Sequence, residues 1–135
     1  MPEQKTLERA RKDKREGKAP TTQAGEFVRE EFHHIREGKH GARSTKQAIA
    51  IGLSKARRAG VKLPPPKRGQ ASARTRKSAQ SAYRAGRPGA RHKPSAKRSR
   101  AVRRALKREP HRTASRKAIS KQARSAAARR RRHAS

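Results

Sequence analysis

The sequence predicts a small, all-α protein: a helix-turn-helix-like pair, about 23–37 and 45–59, carrying a largely disordered, conditionally helical basic tail. Three observations lead there. Apolar residues recur at helical spacing in two windows, Ser, Thr and Gly punctuate the ends of those windows, and the rest of the chain is too charged to fold by burial. Only 29% of residues are hydrophobic, and the aromatics are Phe27, Phe32 and Tyr83. Against this stand 41 Lys and Arg and 9 Asp and Glu, a formal charge of +32. Low hydrophobicity with high net charge leaves conformational entropy without enough burial to offset it, and like charges repel in any compact state.

The first candidate helix, Thr6–Lys18, reads TLERARKDKREGK. Glu8 and Lys12 form a favourable i,i+4 pair and Gly17 suits its end, but the segment has almost no apolar face and is marginal alone. In the next window Ala24, Phe27, Val28, Phe32 and Ile35 share one stripe, with Thr21 or Thr22 as the cap and Gly38 at the end. Glu31 intrudes on that stripe, which predicts a carboxylate reaching water or pairing with a cation of the neighbouring helix.

The third window, STKQAIAIGLSKARRAG from Ser44 to Gly60, opens on a Ser-x-x-Gln capping box, in which Ser44 and Gln47 each satisfy a free backbone N–H. Gly60 suits a left-handed residue past the helix end, and Val61 follows it as the apolar contact. Ala48, Ile49, Gly52, Leu53, Ala56 and Ala59 share a face, while Ile51 lies nearly opposite Leu53. The arc is too wide for one neighbour to bury, and Gly52, Ala56 and Ala59 admit a second helix at close range. A two-helix hairpin of this size is marginal. Its completion is expected from self-association, a docked tail helix or nucleic acid.

Charge divides the chain at KLPPPKRG. Residues 1–63 hold 16 basic and 8 acidic residues, whereas residues 64–135 hold 25 basic residues and the single acid Glu109. The expected organisation is a polar segment at 1–20, a two-helix module at 21–63, a proline hinge at 64–66 and a basic tail at 67–135. Within the tail, residues 69–95 read as a flexible spacer. Ala101, Val102, Ala105 and Leu106 form one later stripe, with Pro110 as its stop. Ala118, Ile119, Ala123 and Ala126 form another. Ala and Arg favour helix but adjacent cations oppose it, so coil-to-helix folding on a polyanion is expected.

A chain this basic points to nucleic acid. No window is apolar enough to span a bilayer or to anchor at its surface, and the first 26 residues predict no secretory leader. The chain has no Cys, which removes disulfides, thiol catalysis and zinc fingers and fits a cytoplasmic, nucleoid location. The candidate phosphate contacts fall in three groups. Lys39, Arg43 and Lys46, with the Ser44 and Thr45 hydroxyls, surround the start of the third helix, where free N–H groups and the helix dipole favour an anion. Lys55, Arg57 and Arg58 lie along that helix. Arg98, Arg100, Arg103, Arg104, Lys107 and Arg108, then Arg129, Arg130, Arg131 and Arg132, stud the tail. Cations without interleaved aromatics favour backbone contacts over base stacking, and the chain contains no Asn for reading adenine, so sequence-tolerant binding follows.

DNA is therefore the expected partner, with RNA or ribosome association the alternative and a protein-interaction adaptor the second. Self-association through the two-helix module is part of the expectation. His33, His34 and His40, near Glu30, Glu31 and Glu37, form the one titratable cluster, but adjacent histidines face different sides of a helix and no His-x-x-x-His pair occurs. No metal site, cofactor or catalytic residue is expected, because no Walker loop, Rossmann glycine pattern, nucleophile elbow or zinc-protease string is present.

The segment GEFVREEFHHIREGKHGARSTKQAIAIGLSKARRAGVKLPPP, Gly25–Pro66, resembles a family of small, basic bacterial proteins commonly labelled DNA-binding. Its mark is the Gly-Lys-His-Gly-x-x-Ser-x-Lys-Gln-Ala-Ile-Ala-Ile-Gly-Leu-Ser-x-Ala-Arg-x-x-Gly string. The tail resembles in composition the Ala/Lys/Arg/Ser-rich arms of linker-histone-like bacterial proteins, without their repeated Pro-Ala-Lys-Lys units. Both resemblances imply DNA binding and neither implies a mechanism.

Overall fold

A computed structural model describes residues 2–88 and 96–134. Six α-helices follow in order: α1 (Gln4–Arg15), α2 (Pro20–Arg36), α3 (Thr45–Arg58), α4 (Ala73–Ala85), α5 (Ala96–Lys107) and α6 (Arg116–Ala134), with a 3₁₀ turn at Arg112–Ala114. No strand forms among the described residues. The protein is thus all-α, as its apolar spacing predicts.

The glycine stops act where the sequence places them. After α1, α2 and α3 the chain turns through Gly17, Gly38 and Gly60, each with positive φ, a conformation that costs an L side chain energy. In each case the glycine N–H bonds the carbonyl one residue short of its helix end and the following N–H reaches further back, as in Val61 N–H to the Ala56 carbonyl at 3.0 Å. Lys18 lies against Asp13 and Glu16 at the α1 stop, and these carboxylates raise its pKa, Glu16 most strongly.

Two starts differ from the sequence reading. α2 begins at Pro20 rather than near Gln23, because proline's fixed φ suits a first helical position whose N–H has no partner in any case. The spacer expected over residues 69–95 contains α4. Its Gly and Pro sit at the edges, Gly69 before and Gly86 after. The stretch between is mostly Ala, Arg, Lys, Ser and Gln, with Thr75 and Tyr83, and its helix is opened by Ser72, whose Oγ accepts from Thr75 N–H at 3.2 Å. The rest of the tail is helical too, over α5 and α6, where the sequence predicts conditional helices. The end of that spacer, residues 89–95, lies outside the described residues.

The chain forms two units, Met1–Glu31 with Ala50–Pro94 and Phe32–Ile49 with Ser95–Ser135. The division runs through α2 and α3. In the first unit Ala10, Ala24, Phe27, Ala56 and Val61 form the core, with Leu7, Leu53 and Leu63 packed on it. Leu7 and Ala10 bring the otherwise polar α1 onto that core, and Thr6 and Asp13 are buried with them. Gly52 brings α3 against α2: a Cβ there would lie 2.6 Å from Val28 Cα, so only glycine fits. Glu31, fully buried, pairs with Lys55 of α3, which is the cation partner its place on the stripe predicts. α4 buries Ala79 and Ala82.

In the second unit Ile35, Ala42, Ala48 and Ala114 form a core flanked by Phe32. Here a tail segment closes the α2–α3 loop. Gly41 N–H bonds the Leu106 carbonyl at 2.8 Å, Ala42 N–H bonds the Pro110 carbonyl at 2.9 Å, and the Thr113 hydroxyl donates to the Ala42 carbonyl at 3.2 Å. Arg36 Nε donates to the Ala114 carbonyl at 2.8 Å. Ser115 opens α6, its Oγ accepting from Ala118 N–H at 3.1 Å.

Candidate nucleic-acid interface

The second unit gathers two of the three predicted cation groups. Lys39, Arg43 and Lys46 come from the α2–α3 loop and the start of α3. Arg98, Arg100, Arg103, Arg104, Lys107 and Arg108 come from α5 and its end, and Arg129–Arg132 from α6. All are exposed. The bonds from Gly41 to Leu106 and from Ala42 to Pro110 hold the loop against the end of α5, so sets from distant parts of the sequence share one structural unit. By composition this unit carries 20 Lys and Arg against 2 acids, a balance of +18. Of the two acids, Glu37 pairs with Lys39 at 3.3 Å and Glu109 is half-buried.

The start of α3 uses its hydroxyls internally. Ser44 Oγ accepts from Gln47 N–H at 3.1 Å, and Gln47 Oε1 in return accepts from Arg43 N–H. That is the reciprocal cap of the sequence reading, with the glutamine reaching one residue further back. Thr45 Oγ1 donates to the Thr113 carbonyl at 2.6 Å. Thr45 thereby spends its hydroxyl donor inside the unit, Ser44 Oγ is engaged as an acceptor, and the loop offers a ligand its Lys39, Arg43 and Lys46 side chains.

The remaining group belongs to the first unit and is mostly occupied. Lys55 is half-buried on Glu31. Arg57 is 7% exposed, donating from Nε to the Leu63 carbonyl at 3.1 Å and from Nη2 to the Pro64 carbonyl at 3.2 Å, and burial lowers its pKa. It braces the chain where that chain enters the prolines. Arg58 alone of the three is exposed, 3.5 Å from Ser54 Oγ.

Two working cations escape the sequence reading. Arg87 donates to the Gly60 and Val61 carbonyls at 3.1 and 3.4 Å, and its guanidinium lies 4.2 Å over the Tyr83 ring. It thereby places positive charge on the C-terminal end of α3, where the helix dipole favours it. Tyr83 is half-buried under that guanidinium. Arg36 ties α2 to Ala114. A Tyr four residues before an Arg just past a helix end is the signal for Arg87; Arg36 has none, because its acceptor is a backbone carbonyl 78 residues away. Of the histidines, His33 is exposed, and the His34 and His40 rings meet edge-to-face at 6.3 Å.

No helix among the described residues is long and apolar enough to cross a membrane. Residues 4–68, just under half of the chain, match a family of unknown function, DUF6496. No curated protein matches the chain, and no solved structure does.

Proposed function

We propose that this protein is a sequence-tolerant, architectural DNA-binding protein of the bacterial nucleoid that works through phosphate-backbone contacts. The observation that carries the reading is the second unit: a fold of residues 32–49 and 95–135 whose balance of +18 stands almost wholly on exposed side chains. Exposed cations are the ones that can exchange their counterions for phosphates and release them from a polyphosphate. The resemblance of Gly25–Pro66 to small basic proteins labelled DNA-binding supports the same reading.

In this reading α2 and α3 are a helix-turn-helix-like pair that acts as scaffold, and its loop cations extend a surface made chiefly by α5 and α6. Those two helices carry like charges on successive turns, so their helicity is conditional and rises when phosphates screen the repulsion. If ~10 cations neutralise phosphates, log K falls against log salt with a slope of about −9 on duplex DNA.

A competition titration of the full chain between duplex DNA and structured RNA at about 150 mM salt tests the proposal, since salt sets the electrostatic contribution. Equal or tighter duplex binding, with a steep salt slope, is the expected result. A tenfold preference for RNA replaces the nucleoid role with an RNA- or ribosome-associated one. A slope shallower than about −3 removes the tail from the binding surface.

A further inference from the structure

α4 carries a charged face that the first unit does not use for its own packing. At about 100° per residue, Arg74, Lys77 and Arg84 fall within about 80° of one another, with only Ser81 between them. Ala79 and Ala82, the buried residues of the helix, lie on the opposite side. The three cations are exposed, and among the described residues none of them has a hydrogen-bond or ion-pair partner. Their helix is fixed within the unit. A Cβ on Gly86 would lie 1.9 Å from the Arg57 carbonyl oxygen, so the end of α4 is pressed against the end of α3, and Arg87 holds it there through the Gly60 and Val61 carbonyls. All seven acids of this unit fall in residues 1–31, and Ala50–Pro94 contains none.

We propose that this face is a second phosphate-binding surface, so that each unit of the chain has its own contact with the backbone of duplex DNA. The proposal rests on the DNA-binding reading above and extends it from the second unit to the first. Three features choose the occupant. First, a helix rises ~1.5 Å per residue, so the row from Arg74 to Arg84 spans about 15 Å. One duplex strand presents a phosphate every ~3.4 Å of axis, and the row therefore matches a run of phosphates rather than one small anion. Second, the exposed residues of α4 are Ala, Arg, Thr, Lys, Ser and Gln. They include none of the large apolar side chains that an interfacial helix buries among lipids, which sets a membrane surface aside. Third, Arg74 and Lys77 are like charges one turn apart, an arrangement that opposes the helix in water and that phosphates relieve. The buried alanines and Gly86 hold the helix formed in spite of that cost, so its cations are already in a row when the polyanion arrives.

The test titrates the full chain and its variants with duplex DNA over a range of salt, well below the unfolding transition. R74Q/K77Q/R84Q should flatten the slope of log K against log salt by about 3, and joining it to R100Q/R103Q/K107Q on α5 should flatten the slope by about 6. R74K/R84K keeps every charge and should keep the wild-type slope. The replaced side chains are exposed, so urea unfolding midpoints should stay at the wild-type value. An unchanged slope in R74Q/K77Q/R84Q overturns the proposal, whether the midpoint holds or falls; a fallen midpoint would make this a packing face. Equal flattening by R74K/R84K overturns it too, because no charge was removed. So does a loss confined to structured RNA, or to phosphatidylserine vesicles, with duplex binding intact. Absence of duplex binding by the wild type defeats the DNA-binding reading itself, whereas a slope that answers to the α5 substitutions and not to those on α4 defeats this inference alone.

Discussion

In the first unit Glu31 lies fully buried against Lys55, Arg57 is folded onto the Leu63 and Pro64 carbonyls, and Arg87 covers the end of α3. In the second, Arg36 reaches a backbone carbonyl while the cations of the α2–α3 loop, α5 and α6 have exposed side chains, Lys39 beside the carboxylate of Glu37. The first unit holds seven of the nine acids, Asp13, Glu30 and Glu31 among them buried. Residues of one chemical type are therefore divided by environment into structural and available sets. Net charge alone does not make that division; the location of the acids does, because a buried carboxylate needs a cation and a bare carbonyl at a helix end accepts one.

The contrast can be broken from the first unit most severely. K55A leaves the Glu31 carboxylate buried without its cation and should cost about 3–5 kcal/mol in urea unfolding, whereas exchanging both residues for leucine should be close to neutral. Neither change touches the exposed cations, so DNA affinity measured well below the unfolding transition should hold. From the second unit the reverse is expected. The triple variant R100Q/R103Q/K107Q should flatten the log K against log salt slope by about 3 while each exposed substitution moves stability by no more than about 0.5 kcal/mol. A loss of stability without a change in slope would show that α5 is a packing element rather than a binding one.

Smaller effects sharpen the same division. R87A removes hydrogen bonds to two carbonyls and the contact with Tyr83, and should lower stability by about 1–2 kcal/mol with the salt slope unchanged. S115A removes the side-chain cap of α6 and should cost about 1 kcal/mol, read as a lower thermal midpoint. Lys18 gives the smallest response. Its pKa is raised in the folded protein above the ordinary 10.5, so its contribution is complete below that value and lost as pH rises through the raised one. An alkaline titration of thermal stability should show that loss in the wild type and not in K18M.

The helices were legible in the sequence to the extent that their stops are local. Gly17, Gly38 and Gly60 each end a helix by a conformation that depends on a few neighbouring residues, and Ser44 with Gln47 caps by the same short-range chemistry. Glu31 was legible as well, because a charge on an apolar stripe demands a partner one helix away. α4 was obscured by composition averaged over a window whose glycines and prolines sit at its edges. The pairing of the α2–α3 loop with residues 106–114 was hidden for another reason. It is built from backbone groups and from Thr113, which carry no pattern, and from Gly41, where a Cβ would strike the Glu109 carbonyl. For the candidate site, the residue types were evident, but which cations remain available was not, since Lys55 and Arg57 look in sequence like any other solvated helix face.

The bonds from Gly41 and Ala42 to Leu106 and Pro110 bear on any attempt to separate the halves of this chain. A protein ended at the triple proline would lose more than positive charge: Ala114 would no longer shield Ile35 and Ala48, and the loop bearing Lys39 and Arg43 would lose its anchor. Failure of such a fragment to hold DNA would report a collapsed scaffold as much as missing arginines, so point neutralisation within the intact polypeptide is the cleaner dissection.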